Sequence, residues 1–330
     1  MWSTAAGPRL IGRTLAELPD RMEGEMELVT LHRRAVEQWT ARVAAVKDDA
    51  WGDPTPCTDW SVRQLVNHVV GEDLWAVPLL RGSTIEQVGS QFDGDVLGDD
   101  PVGKARTAAE EAAAVVDEIV PGGGRVQLSY GEEDLAEYVR QLCADHLIHG
   151  WDLAAATGGD TSMDPELVAE VGAWFAEREP KYRGAGVVGP RPNRGGDPQS
   201  DLLAAFGRDA QWGPNHAALA GFSTAFGYGD VDAIMARMTD DCVFESTGPA
   251  PDGQRHVGQA AVRAVWEQLF ADTRDAKFTD EDTFLFGDRA CVRWRFTWTN
   301  DDGSQGHVRG VDVMRFRDGL VSEKLSYVKG

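Results

Sequence analysis

No stretch of this sequence approaches the roughly 18 consecutive apolar residues that a membrane-spanning helix needs, so no transmembrane segment is expected. Positive charge is also in short supply. The 32 Lys and Arg residues face 54 Asp and Glu, a formal net charge of -22 at pH 7, and no basic run makes a local exception. Such a surface repels phosphate backbones and anionic lipid, which sets aside nucleic acid and membranes as partners. The opening residues, MWSTAAGPRLIGRTLAELPDRMEGEME, lack the apolar core of a secretory signal, and residues 1–26 are expected to form a flexible extension. Cysteine is scarce and scattered. Cys57, Cys143, Cys242 and Cys291 form no CxxC pair, which argues against a zinc knuckle or a disulfide framework and fits reduced thiols in a cytoplasmic setting.

What is present suffices for about two domains: 330 residues, 42% hydrophobic and 26% charged, close to the averages of globular proteins. From Met26 to about Glu179 the periodicity is helical. Leu28, Leu31, Val36, Trp39 and Val43 recur as the inner face of a first helix would. A second helix is expected after Pro56-Cys57-Thr58-Asp59, with Thr58 or Asp59 as its cap, and a third from Gly103 to Val120. A fourth spans about Glu133 to Thr157, ending at Gly158-Gly159, and a fifth runs from Pro165 to Glu177. Residues 27–179 therefore read as an antiparallel helix bundle. Between Pro180 and Pro198 glycine and proline are too dense for any regular element, and residues 180–212 are taken as a linker that includes the short DLLAAFGRD segment.

Residues 213–330 have a different grammar. Two helices, from His216 to about Gly227 and from Val231 to Met238, precede the short strand CVFES and a helix from Gly258 to about Ala271. Period-2 segments follow: FTDEDTFLFG, ACVRWRFTWTN, GHVRGVDVMRF and LVSEKLSYVK, joined by turns at Asn300-Asp301-Asp302-Gly303 and Arg317-Asp318-Gly319. Helices first and a meandering antiparallel sheet afterwards make an α+β domain, with the long third helix over one face of a curved sheet. That arrangement leaves a cup.

Two constellations carry chemistry. In the fourth helix the core-facing stripe runs through Leu135, Tyr138, Leu142, Asp145, His149 and Asp152, so a carboxylate and an imidazole stand one turn apart where apolar residues belong. A buried carboxylate needs a cation or strong donors. A divalent metal shared by Asp145 and His149 answers that need, with His68 of LVNHVV as a third ligand from a neighbouring helix. His146 and Glu72 compete for ligand positions, a hydrogen-bonded core histidine is the plainer alternative, and spacing does not separate these sets. Asp152 is a candidate to orient a ligand histidine, or else to make a helix-terminal hydrogen bond. On GHVRGVDVMRF, alternation puts Val308, Gly310, Asp312, Met314 and Phe316 on one face, and His307, Arg309, Val311, Val313 and Arg315 on the other. Asp312 then stands among apolar residues, where a carboxyl group is either an acid/base candidate with a raised pKa or a carboxylate satisfied by a buried Arg, Tyr or water.

The stretches PTPCTDWSVRQLVNHVVGE (54 to 72), DHLIHGWDLAAATG (145 to 158) and DPQSDLLAAFGRD (197 to 209) resemble the mycothiol-dependent maleylpyruvate isomerase family, and more closely its actinobacterial metal-binding branch within the DinB/YfiT-like four-helix-bundle superfamily. The resemblance covers about residues 27 to 209. It implies a divalent ion, zinc first with nickel, iron or manganese as alternatives, held by His68, Asp145 and His149, with the open position able to bind and acidify a thiol or water. Mycothiol is the thiol that the family supplies. The isomerase has Glu where this chain has Asp145, and its own C-terminal domain has no counterpart here.

Residues 213 to 330 resemble instead the SnoaL-like and ketosteroid-isomerase-like group of the nuclear transport factor 2 superfamily, an α+β cone with a curved antiparallel sheet. That resemblance places Asp312 at the oxyanion-donating position, while Ser246 and Phe222 stand where the steroid isomerase has its base and its tyrosine. Together the two resemblances imply a metal-dependent enzyme that activates a low-molecular-weight thiol for transfer to, or isomerisation of, a small electrophile, with the cup binding that substrate or forming a homodimer. The alternatives are a SnoaL-like cyclase or isomerase using Asp312, and a non-catalytic small-molecule-binding protein.

Overall fold

The computed structural model describes residues 17–58, 60–192, 196–272, 277–300 and 302–329, with the side chains of residues 17–26 and 272 outside that description. Contacts divide the chain into two compact units. The first takes the residues up to Ala44, Val66–Gly150 and Asp164–Glu177; the second takes Ala45–Leu65, Trp151–Met163 and the chain from Arg178 onward.

Helices come first in chain order: α1 (Glu17–Ala44), α2 (Val62–Leu80), the short α3 (Ile85–Val88), α4 (Pro101–Ile119), α5 (Leu135–Thr157) and α6 (Pro165–Ala176). The inner face expected for α1 is buried, with Trp39 and Ala35 wholly inside, and Ala105, Ala108, Ala109 and Ala112 give α4 a flat buried stripe. Of the extension expected over residues 1–26, residues 1–16 lie outside the described residues, while the chain is already helical from Glu17. The cap of α2 differs from expectation too. Ser61 Oγ accepts from Gln64 N and Gln64 Oε1 accepts from Ser61 N, a reciprocal box that sits past Thr58, and Asp59 lies outside the described residues. A small antiparallel ribbon, β1 (Arg125–Leu128) and β2 (Gly131–Asp134), leads into α5 and had no counterpart in the expected elements.

Two further helices lie in the stretch taken as a linker: α7 (Glu179–Gly184), where no regular element was expected beyond Pro180, and α8 (Pro198–Ala205), over the short DLLAAFGRD segment. Asp197 caps α8 by accepting from Ser200 N at 3.0 Å. Then follow α9 (Pro214–Tyr228), α10 (Val231–Ala236), β3 (Met238–Glu245), β4 (Arg255–Val257), α11 (Gln259–Asp272), β5 (Lys277–Phe286), β6 (Arg289–Thr299), β7 (Gln305–Arg317) and β8 (Leu320–Val328).

The six-stranded sheet has the order β4-β3-β8-β7-β6-β5. Four neighbouring pairs are antiparallel, but β3 and β8 run parallel, so the sheet is mixed where alternation had suggested a pure meander. Period-2 patterning reports which face is buried and is silent about strand direction, which explains the difference. The turn between β7 and β8 has both central residues at positive φ, Asp318 at 54° and Gly319 at 73°, which matches the twist of a tight hairpin. Trp266 of α11 is fully buried and packs against Phe222, Phe226 and Phe244, closing the inner face of the sheet.

Candidate functional site

In the helical unit the second and fifth helices bring three ligand-type side chains together. One donor atom each from His68, Asp145 and His149 lies within 4.8 Å of the others. His149 Nε2 is 3.9 Å from Asp145 Oδ1, too far for a hydrogen bond, and the rings of His68 and His149 stand edge to face with centroids 5.1 Å apart. Such spacing suits donors that share a cation better than donors that bond each other, and two imidazoles with one carboxylate suit a borderline divalent ion. The side chain of His149 is only 10% exposed and that of Asp145 is 37% exposed, so the cluster opens to solvent on the aspartate side.

The competing histidine is otherwise engaged. His146 Nδ1 lies 2.8 Å from the Leu142 carbonyl and must donate to it, while Nε2 lies 3.1 Å from Asp73 Oδ1. Burial opposes charge on this ring, but Asp73 and the carbonyl outweigh it and hold the imidazolium above its ordinary range. Asp73, wholly buried on α2, was not singled out from the sequence. Val69 and Ala76 are buried one turn on either side, so the same stripe rule that found Asp145 applies to it. Beside it, burial and the Asp145 and Asp73 charges push the Glu72 carboxyl up to about 7, and burial keeps the Tyr138 phenol protonated. His32 completes this interior. Fully buried and 5.6 Å from the His146 ring, it is driven down to about 3 by burial and by the His146 charge.

Asp152 also has an arginine partner that the sequence did not suggest. Arg208 clamps it through Nε to Oδ1 at 3.2 Å and Nη2 to Oδ2 at 2.8 Å, and Cys57 Sγ lies 3.3 Å from Oδ2. Burial and the Asp152 charge push the Cys57 thiol up to about 12, so it stays protonated at neutral pH. Arg208 and Cys57 stand inside two of the quoted motifs, yet their meeting is tertiary, with 151 residues of chain between them.

The sheet of the second unit supplies the other constellation. Asp312 is 6% exposed and its face of β7 is the buried one, as alternation indicates. Across the sheet Asp312 pairs with Ser326 and Met314 with Lys324, which makes Lys324 a diagonal neighbour of Asp312. Lys324 Nζ lies 2.7 Å from Asp312 Oδ2, and Ser326 Oγ donates to Asp312 Oδ1 at 2.6 Å. The carboxylate is thus satisfied, by a lysine and a serine. A cavity of about 230 Å³ opens over this pair, lined by Phe222, Phe226, Phe278, Trp294 and Met314 among others, with Asp280 also on its wall. Partial burial, with the Asp312 charge added, raises the Asp280 carboxyl against the opposing effect of Ser223 and Lys324. Of the two positions where the steroid-isomerase resemblance loses its groups, Phe222 packs into the aromatic core and Ser246 Oγ donates to the Gly248 carbonyl at 2.7 Å.

The description "Mycothiol maleylpyruvate isomerase N-terminal domain" matches residues 32–154, and "SnoaL-like domain" matches residues 219–324. Uncharacterized proteins from two strains of Mycobacterium tuberculosis are each 35% identical over 188 residues, which covers 55% of this chain and 97% of theirs. Among solved structures, an NTF2-like protein of unknown function from Mesorhizobium loti is 38% identical over 36% of this chain and 92% of its own, at a TM-score of 0.32. A Mycobacterium tuberculosis protein solved with estradiol-17beta-hemisuccinate is 26% identical over 34% of this chain and 92% of its own, at a TM-score of 0.31. With its helical part covered by one family and its sheet by the other, the chain belongs to the mycothiol maleylpyruvate isomerase N-terminal domain family and carries a SnoaL-like domain after it.

Proposed function

We propose that the helical unit holds one divalent ion through His68, Asp145 and His149 and serves to activate a low-molecular-weight thiol, mycothiol first, for transfer to or isomerisation of a small electrophilic metabolite. The observation that supports this is the convergence of the three donors from two helices within 4.8 Å. Zinc fits the donor set, with nickel, iron or manganese as alternatives. When bound, such an ion lowers the pKa of a thiol or water that shares it.

The chain's own residues set the stage for that chemistry. Asp145, on the solvent side, leaves room for a small incoming molecule. The buried Asp73–His146 contact ties α2 to α5 and so fixes the distance between the helix that bears His68 and the one that bears Asp145 and His149. Tyr138 stays a neutral hydroxyl on the same helix face. The cup would bind the electrophile or serve as a homodimer face, in a cytoplasmic protein without nucleic-acid or membrane partners.

Elemental analysis of the purified full chain should find about one divalent ion per molecule, and turnover of an electrophile panel should require mycothiol. A metal-free preparation with full activity would overturn the reading. A second reading places a cyclase or isomerase reaction in the cup with Asp312 as its acid or base, and the cavity above that residue favours it. Loss of turnover in Asp312→Asn, with the metal-free chain still active, would select it.

A further inference from the structure

A cleft of about 130 Å³ in the helical unit is lined from α1, α5 and α6, and three charged side chains border it: Glu27, Arg140 and Glu170. None of them is answered by the protein. Among the described residues Arg140 has no carboxylate partner, and neither glutamate has a basic one. The charges of the same helices that lie outside the cleft are matched. Arg34 of α1 bonds Asp164 and Glu166 at the start of α6, and Trp174 Nε1 of α6 donates to Glu137 Oε2 of α5 at 3.0 Å. These two ties fix α6 against its neighbours on either side of the cleft, so its walls are in place before any ligand arrives and little ordering is left for binding.

The rest of the lining is apolar. Leu28, Leu31, Leu167 and Val171 are buried along it. Cys143 belongs with them, since it is 2% exposed and burial pushes its thiol up to about 12 against the opposing charge of Arg140, which leaves it neutral. Glu27 and Glu170 are exposed and Arg140 is half-buried, so the charged groups stand where the cleft meets solvent. An anion alone would meet two carboxylates there, and a cation alone would meet a guanidinium. A molecule with both charges close together satisfies all three side chains. The volume is slightly less than the roughly 150 Å³ that accepts benzene, which leaves room for an aliphatic body of about four to six carbons.

We propose that this cleft binds a free aliphatic α-amino acid. Its carboxylate accepts from the Arg140 guanidinium, its ammonium faces Glu27 and Glu170, and its side chain lies among Leu28, Leu31, Leu167 and Val171. The site uses none of the metal ligands and nothing of the cup, so it goes beyond the proposed thiol chemistry and does not depend on it.

Calorimetric titration of the full chain with L-leucine, 4-methylpentanoate, 3-methylbutylamine and glycine tests the proposal. The second probe lacks only the ammonium of leucine, the third only its carboxylate and the fourth its side chain. L-leucine should bind about tenfold or more tighter than each of the others, the factor that one charged hydrogen bond or one buried branched side chain supplies. Arg140→Gln should bring L-leucine and 3-methylbutylamine to within about twofold, and Glu27→Gln with Glu170→Gln should do the same for L-leucine and 4-methylpentanoate. Neither variant removes an internal ion pair, so both should keep the urea midpoint of the parent chain. No binding of L-leucine, equal binding of L-leucine and any of its three analogues, or preferences that survive these substitutions would each overturn the proposal. L-leucine binding that disappears when divalent ions are stripped from the protein would move the amino acid to the metal and overturn it as well.

Discussion

Asp145 and Asp312 both interrupt an apolar face, one on a helix and the other on a strand, and their surroundings resolve the interruption in opposite ways. Asp312 finds an ammonium at 2.7 Å and a hydroxyl at 2.6 Å, so its charge is answered from within the chain. Asp145 finds an imidazole at 3.9 Å and, among the described residues, no lysine or arginine partner. A carboxylate matched by the protein's own cation is a finished structural pair, while one faced by imidazoles invites a cation from outside. The distinction between the two sites therefore lies in what surrounds each carboxylate, since in the sequence each is only an acid interrupting an apolar face.

The contrast can be broken first at the metal. His149→Ala should weaken divalent-ion affinity by more than the roughly 10–100-fold that outer-shell changes cost, and so lower the ion retained after dialysis, read by elemental analysis; full occupancy in that variant would remove His149 from the ligand set. In the cup, Lys324→Met strands a buried carboxylate and should destabilise the chain by about 3–5 kcal/mol in urea unfolding, with most of that recovered when Asp312→Leu is added. A recovery that fails would mean that Lys324 and Asp312 do not answer each other's charge. Gly310→Ala drives a methyl group into the Trp294 ring and is expected to cost about 1–3 kcal/mol in the same assay.

A further effect is graded in pH. His32 is held at about 3 in the folded chain against 6.5 when unfolded, so on acidification the unfolded form takes up a proton that the folded form refuses. Its contribution is fully present above pH 6.5 and is lost as the pH falls toward 3, at roughly 1.4 kcal/mol per pH unit once well below 6.5. His32→Leu should flatten that limb of the stability curve; an unchanged slope would assign it to other groups.

Much of this was legible before any coordinates. The stripe through Asp145 and His149 and the alternation that turns Asp312 inward both follow from local periodicity, which a chain displays openly. Lys324 was not legible, because its importance depends on a diagonal neighbour in β7 and on the register that sets it across from Met314. The Asp152–Arg208 clamp hid for the same reason, 56 residues separating its partners. The Ser61–Gln64 box and the place of Asp73 on a buried stripe are local features, within reach of capping and periodicity rules. The parallel pairing of β3 with β8, like that clamp, lay beyond any local signal.

That pairing bears on how the sheet unit must be made. β8 comes last of the strands yet sits between β3 and β7, so Met238 waits for Val321 and Phe244 for Lys324 before the two parts of the sheet can join. A chain emerging from a ribosome can form the β5–β6–β7 meander early, but it must hold the β3–β4 ribbon with an unzipped edge until β8 follows. The residue that completes the cup is thus carried on the strand that closes the sheet, and a chain interrupted before Leu320 would lack the seam and the ammonium together.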